Sequence, residues 1–353
     1  MASLFCGWTF SACTTPTAEP ESEVLADNVE HVCDAESSNY AGFLILNEGM
    51  WGSNNCSLDF FDFRKGNYTH DLFGHANPSM AEGMGDVGND LVVYDSRIYA
   101  VINASNLVEV MDLQGRHIGA VQVTNPRFMV CKDGFGYVST YVNYVYKLDL
   151  NSLRITDSCR VGNQPEGLAM VGNELFAANS GGYLYPNYDS TISVVDLTSF
   201  KTTKEIKVAP NLFQLVADSH DQLWVVSHGN YGDIPSRLCC VNSKTHEVTD
   251  TLDIRVDDVW LDGDNLYAIA AGSFKVVDVT TRKVVKENFI TDGTDTDIQT
   301  PYGLLVHPDT KRIYLSDVRN YASAGRLYCY SPEGKRLWTV FTDDVPGHLT
   351  LVK

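Results

Sequence analysis

The chain has no C-x-x-C pair, although it carries nine cysteines: Cys6, Cys13, Cys33, Cys56, Cys131, Cys159, Cys239, Cys240 and Cys329. Neither a zinc ribbon nor a thioredoxin-like redox site is therefore signalled. It also lacks a G-x-S-x-G elbow, an H-E-x-x-H helix and a phosphate-binding loop, which removes the commonest hydrolase, metalloprotease and nucleotide-binding signatures. Basic residues are scarce: 26 Lys and Arg stand against 45 Asp and Glu, for a net charge of -19. A surface that acidic repels phosphate backbones, so nucleic acid is not an expected partner. No segment approaches the ~20 consecutive apolar residues needed to span a bilayer. Sustained helical periodicity is missing as well.

What is present is hydrophobic material in short pieces. Of the 353 residues 44% are hydrophobic, with 27 Gly and 18 Tyr, enough for a large core broken by many turns. Several cysteines sit on apparent strands, where the side chain acts as a small buried hydrophobe. Cys131 and Cys159 fall within one repeat, and a disulfide between them is left open.

The apolar run of residues 1–12 ends in Thr9-Phe10-Ser11-Ala12-Cys13. Small residues before a cysteine resemble a bacterial lipobox, so residues 1–13 are read as a candidate lipoprotein signal with Cys13 as the lipidated residue. The match is partial, since no Lys or Arg lies near Met1 and Phe10 stands where Leu is usual. Residues 14–39, rich in Thr, Pro, Glu and Asp, are expected to form a flexible acidic tether. Membrane contact is expected only through that lipid.

From residue 40 the chain repeats one grammar. In the stretch 165–196 a strand over 168–171, a Gly172-Asn173 turn, a strand over 174–178, a wide Gly/Tyr/Asn loop and a strand ending at Asp196 follow one another. The same order recurs after Pro301, and begins once more at Pro346 before the chain stops. Anchors at Pro126, Pro165, Pro210, Pro301 and Pro346 lie roughly 40–45 residues apart where consecutive, the period of a four-stranded propeller blade. Six groups hold four strands; the first holds three (43–47, 57–63 and 67–73), and a lone strand over 348–352 is left over. That strand supplies the missing innermost one. The expected fold over 40–353 is therefore an all-β, seven-bladed β-propeller whose C-terminal strand closes the ring. Third strands end on Asp62, Asp112, Asp149, Asp196 and Asp278, with Asn242 in the fifth group, and these are read as turn caps rather than chemistry.

In a propeller the loops from second to third strand and from one blade to the next emerge at one mouth. Here those loops carry the unusual residues. The former contribute Trp51, Tyr141, Tyr183, Tyr185, Tyr188, His228, Tyr231, Arg319 and Tyr321, and the latter Arg127, Glu166, Phe213, Asp257, Tyr302 and His348. A tyrosine pairs a rigid apolar plate with one hydroxyl, so many of them at one mouth make an amphipathic bowl for a ligand with both apolar and polar faces. Arg127 and Glu166, at equivalent places in adjacent repeats, could simply pair. Asp292, Asp295 and Asp297 offer carboxylates for calcium, but their order departs from the EF-hand loop and a solvated acidic loop is the plainer reading. No other metal site and no cofactor is indicated. With no privileged carboxylate pair, an enzyme is not expected.

The Pro-x-Gly-Leu strand starts at Pro165 and Pro301, the strand ends at Asp149, Asp196 and Asp278, and the opening Phe43-Leu-Ile-Leu-Asn-Glu-Gly-Met-Trp51 resemble the YncE-like seven-bladed propellers of Bacteroidetes. Within that group the chain is similar to surface lipoproteins that capture cobalamin and pass it to a TonB-dependent outer-membrane transporter. The resemblance implies a corrinoid ligand held over the wide mouth by aromatic and amide side chains, and a place on the outer membrane facing outward, with the periplasm as the alternative. A glycan- or peptide-binding propeller is the runner-up function, followed by a polysaccharide-active enzyme.

Overall fold

In the six four-stranded repeats the last strand is the most polar and exposed, which marks the outer edge of each sheet. In the fourth repeat Pro165–Val171, Glu174–Asn179 and Thr191–Asp196 are mostly buried, whereas Lys201–Lys207 buries only Ile206. A strand sandwiched between neighbouring sheets needs apolar side chains on both faces, so inner strands read as continuous apolar runs while the outermost alternates with solvent.

The computed structural model describes residues 26–353. It forms seven antiparallel sheets around one axis, six of four strands and one of five. We number the sheets as blades. Blades 2 to 7 begin on innermost strands Gly88–Tyr94, Pro126–Lys132, Pro165–Val171, Leu212–Ala217, Asp258–Asp262 and Pro301–Val306. Blade 1 combines both ends of the chain: Pro346–Val352 pairs antiparallel with Gly42–Asn47, which leads outward to Ser57–Asp62 and Asn67–Thr69. The ring closes as the strand count requires. The innermost strands touch in a closed circuit, and the core is divided into seven clusters, each between two adjacent blades.

Two local readings are corrected. The third strand of the first group stops at Thr69, because Asp71 caps a short helix, Leu72–Ala76, by accepting from the Gly74 amide at 2.9 Å. The segment expected as a tether is docked from residue 26 on. Val29–His31 adds a fifth strand outside Asn67–Thr69. Glu36 then pairs with Arg312 at 2.7 Å and accepts from the Tyr314 hydroxyl at 3.2 Å, while Ser38 Oγ lies 2.8 Å from His307 Nε2. Since Arg312, Tyr314 and His307 belong to blade 7, this segment bridges the two blades that meet at the closure. The candidate signal 1–13, with Cys13, lies outside the described residues.

The carboxylates at the third-strand ends act as turn caps. Asp149 accepts from the amides of Asn151 and Ser152, Asp196 from Ser199, Asp278 from Thr281, and Asn242 from Lys244 and Thr245. The cysteines from Cys33 to Cys329, Cys131 and Cys159 among them, are free thiols. No helix among the described residues is long and apolar enough to cross a membrane.

Candidate functional site

Six of the seven innermost strands open with an irregularity that decides what faces the mouth. In blades 2, 3, 4, 5 and 7, and where blade 1 closes, the register against the second strand shifts within the first few residues. A bulge breaks the two-residue alternation of a strand and re-aims side chains. Two successive residues then reach the axis: Arg127 with Phe128, Phe213 with Gln214, and Gly347 with His348 all line one cavity, as Asp257 and Asp258 do in blade 6.

These successive positions do different work. The first points into the mouth, giving Asn89, Arg127, Glu166, Phe213, Asp257 and Tyr302. The second follows the seam to the next blade. Asp90 accepts from the Met129 amide at 2.8 Å, and Gln214 both donates to the Val259 carbonyl at 3.0 Å and accepts from its amide at 2.8 Å. Asp258 accepts from the Leu304 amide in the same way. Where the second position is glycine, the next strand leaves no room for a side chain: a Cβ on Gly167 would lie 2.6 Å from the Phe213 carbonyl, and one on Gly303 2.4 Å from that of Gly347. This explains the Pro-x-Gly-Leu signature. Serines of the second strands satisfy the displaced backbone, Ser139 Oγ accepting from Phe128 N and donating to Glu166 O, and Ser316 Oγ accepting from Gly303 N and donating to Pro346 O.

The resulting bowl has a cavity volume of about 790 Å³. A run of rings descends its wall. Tyr185 meets Tyr188 edge-on at 6.1 Å, Tyr188 meets Tyr231 at 6.0 Å, and the Tyr231 hydroxyl stands 3.5 Å from His228 Nδ1. His228 stacks on Phe213 at 4.9 Å, Phe213 meets Phe128 at 5.5 Å, and Phe128 reaches His348 at 6.2 Å. Tyr183 packs on Tyr141 on one side, and Tyr302 meets Tyr321 on another. The rings thus come from blades 3, 4, 5 and 7 and from His348 of the closing strand, while blades 2 and 6 contribute Asn89, Asp257 and Asp258 instead.

Charge is paired at the wall and concentrated at the floor. Arg127 donates to Glu166 through Nε at 2.8 Å and Nη2 at 3.2 Å, its guanidinium lies 4.6 Å from the Tyr141 ring centre, and the Tyr141 hydroxyl donates to the same carboxylate. Burial works against the charge on Arg127, but Glu166 and Tyr141 outweigh it and hold the guanidinium protonated. At the floor His348 Nε2 lies 3.5 Å from Glu48 Oε1. Burial disfavours its charged form, yet the Glu48 hydrogen bond and the charges of Glu48, Asp90 and Asp258 raise its pKa. Burial pushes the Asp258 carboxyl up to about 7 despite the nearby His348, and keeps the His228 imidazole neutral by lowering its pKa.

Of the residues expected at the site, Arg127, Tyr141, Glu166, Tyr188, Phe213, His228, Tyr231, Asp257, Tyr302, Tyr321 and His348 line this one cavity. Tyr183 and Tyr185 stand at its rim, in ring contact with lining tyrosines but mostly exposed. Trp51 and Arg319 are not brought in. Trp51 is 76% exposed on a turn beside the bowl, and Arg319 folds back to donate to the Ala324 carbonyl of its own loop. Glu48, Asn89, Phe128, Asn211, Gln214 and Asp258 line the cavity without having been singled out. Three of these, Phe128, Gln214 and Asp258, directly follow residues that were, and for Phe128 and Gln214 only knowledge of the bulge would have added them.

The carboxylates considered for calcium have protein partners. Asp292 accepts from Thr294 and the Arg336 amide, Asp295 from Asn288, and Asp297 from Arg336 at 2.5 Å. Among the described residues no three metal-ligating side chains converge.

Residues 41–339 match the family described as "Domain of unknown function (DUF5074)". No curated protein matches the chain. Among solved structures it is similar to a quinonprotein alcohol dehydrogenase-like protein from Bacteroides thetaiotaomicron, with a TM-score of 0.67 and 12% identity, covering 88% of this chain and 78% of that one. Hydrazine synthase of Kuenenia stuttgartiensis gives 0.60 and 15%, covering 70% and 77% respectively. The computationally designed protein Ika8 gives 0.57 and 9%, covering 91% and 93%. At such identities the likeness concerns the propeller fold alone.

Proposed function

Because the chain belongs to the DUF5074 family, whose description assigns no activity, its function has to be read from the bowl, and we propose that it captures a bulky amphipathic small molecule, a corrinoid such as cobalamin. The observation that carries this is the set of aromatic side chains from four blades lining one open cavity of about 790 Å³, with hydrogen-bonding groups between them. A corrin has a broad apolar body edged with amides. Its body suits the rings, and its amide donors suit acceptors such as Glu48, Asn89, Asp257 and Gln299 around the wall. Many preorganised contacts give tight capture without any chemistry from the protein. Cross-blade hydrogen bonds at Asp90 and Gln214 supply that preorganisation.

Delivery to a TonB-dependent transporter, and an outer-membrane location through a lipid on Cys13, belong to the same proposal and come from the resemblance to surface cobalamin-binding propellers. Calorimetric titration with cyanocobalamin tests the central point. Saturable binding at micromolar concentration or below supports it, and no binding removes it. A single strip of aromatics would have favoured a glycan; rings contributed by four blades to one cavity suit a compact ligand. A second reading rests on Asp258 and His348, which line the same cavity, burial pushing the Asp258 carboxyl up to about 7. That pairing suits acid–base work on a bound sugar, and turnover of polysaccharide substrates lost in Asp258→Asn would support it.

A further inference from the structure

Of the buried Asn, Gln, Ser, Thr, His, Asp and Glu side chains among the described residues, all but one have a hydrogen-bond partner, and the exception is Asn211. Even where an amide oxygen is left over, as in Asn47, Gln164 and Asn179, the nitrogen donates to Ser57, to Asn143, and to Thr191 and Ser193 respectively. Asn211 has neither half of its amide engaged. Its backbone is fully used, the amide donating to the Asp189 carbonyl at 2.8 Å and the carbonyl accepting from the His228 amide at 2.9 Å, so the free group is the side chain. A buried polar group without a partner costs stability, and folds retain one where something outside the chain meets it.

The residue stands where a ligand can reach it. It is 6% exposed and lines the bowl, two positions before Phe213 and bonded through its carbonyl to His228, the stacked pair of the run of rings. Backbone conformation does not account for an asparagine there. Its φ of 57° lies in the left-handed region that asparagine tolerates well, yet the equivalent positions of blades 1 and 2 hold Val345 and Val87, both at φ 58°. Their carbonyls accept from Glu48 and Asn103 as that of Asn211 does from His228. Support of a neighbouring loop does not account for it either. The equivalent Gln164 and Thr300 do that work, donating to Asn143 Oδ1 and to the Arg319 carbonyl, and Asn211 does not.

A primary amide carries two donor hydrogens and one carbonyl acceptor in a single plane. Its complement is a group that also donates and accepts in one plane, a second primary carboxamide, met in two parallel hydrogen bonds. A carboxylate would set oxygen against oxygen, and an ammonium would leave the donors unused. We propose that Asn211 is a specificity-determining contact of the bowl, pairing with a primary carboxamide on the edge of the bound ligand while the neighbouring rings cover its apolar body. The proposal rests on the capture reading above and deepens it, since a corrin is edged with such amides.

Asn211→Gly tests it, because glycine keeps the left-handed backbone and removes only the amide. Melting temperature and calorimetric titration with cyanocobalamin are compared between the full native chain and the variant. The expected melting temperature lies within about 2 °C of the native one, since no hydrogen bond within the protein is lost, and cyanocobalamin affinity falls about tenfold. A variant that melts well below the native protein would give the amide a structural role and overturn the proposal, as would an unchanged affinity; either leaves the capture reading standing. If the native protein does not bind cyanocobalamin, the capture reading falls, and Asn211 is then probed with benzamide and benzoate by saturation-transfer NMR. A benzamide signal that benzoate does not give and that Asn211→Gly loses upholds a carboxamide contact, and any other result ends it.

Discussion

Arg127 and Glu166 occupy the same position in successive blades and meet across the seam in a two-point ion pair, Nε to Oε2 at 2.8 Å and Nη2 to Oε1 at 3.2 Å. Both are largely buried, so the pair matters most when half of it is removed. Glu166→Ala leaves an uncompensated guanidinium at the wall and is expected to destabilise the fold by about 3–5 kcal/mol. The double variant Arg127→Met/Glu166→Leu should recover most of that loss. Urea denaturation of the two single variants and the double variant measures it; additive losses would mean the pair is not coupled.

Stability is expected to fall as pH rises from about 5 to about 8. Burial holds the carboxyl of Asp59 at about 6 and that of Asp258 at about 7, both above 3.8. The native state therefore binds these protons more tightly than the unfolded chain. Their contribution is complete below the unfolded value and disappears as pH passes through the folded ones. The raised pKa of His348 acts in the same direction at the upper end. Exposed turn carboxylates such as Asp149, Asp196 and Asp278 have lowered values and the opposite sign, so their contribution fades only at acid pH. Thermal melts across this range give the slope, and Asp258→Asn should flatten its upper half.

Removing residues 346–353 takes away the innermost strand of blade 1 and exposes the edge of Gly42–Asn47. An open ring also loses the packing of Leu349 and Val352 against the clusters on either side. The expected product shows no cooperative thermal transition and elutes as a soluble aggregate, because an unpaired apolar strand edge invites pairing between molecules. A monomer with an undiminished melting temperature would mean that the junction is held by the segment 26–39 alone.

Within the bowl, substitutions should sort by lining rather than by aromatic character. Tyr231→Ala and Phe213→Ala remove the two neighbours of His228 in the descending run of rings and are expected to weaken cyanocobalamin binding about tenfold each. Trp51→Ala, although it removes a larger exposed ring, should change affinity by less than about twofold, as should Arg319→Ala. Titration calorimetry compares them, with melting temperatures to separate lost contacts from lost fold.

The number of blades, the closing strand and the mouth bearing the aromatic loops were all legible in the sequence. Each depends on local patterning: short apolar runs, turn residues after Asp149 or Asp196, and a period kept by Pro126, Pro165 and Pro210. The paired residues of the floor were not, because Phe128, Gln214 and Asp258 follow residues that already point at the axis, and strict alternation would send them away from it. For Phe128 and Gln214 a bulge reverses that outcome, with Ser139 accepting from the Phe128 amide and donating to the Glu166 carbonyl of the next blade. The docking of residues 26–39 was hidden for a related reason. An acidic, proline-bearing composition signals a tether, but Glu36 finds Arg312 and Tyr314 only once the ring has brought blade 7 beside blade 1. Sequence alone determined the repeat and its closure, since a four-stranded sheet cannot bury both faces by itself. Tertiary structure decided which neighbours share the bowl, since a side chain's direction there is set by hydrogen bonds across blades and not by its own strand.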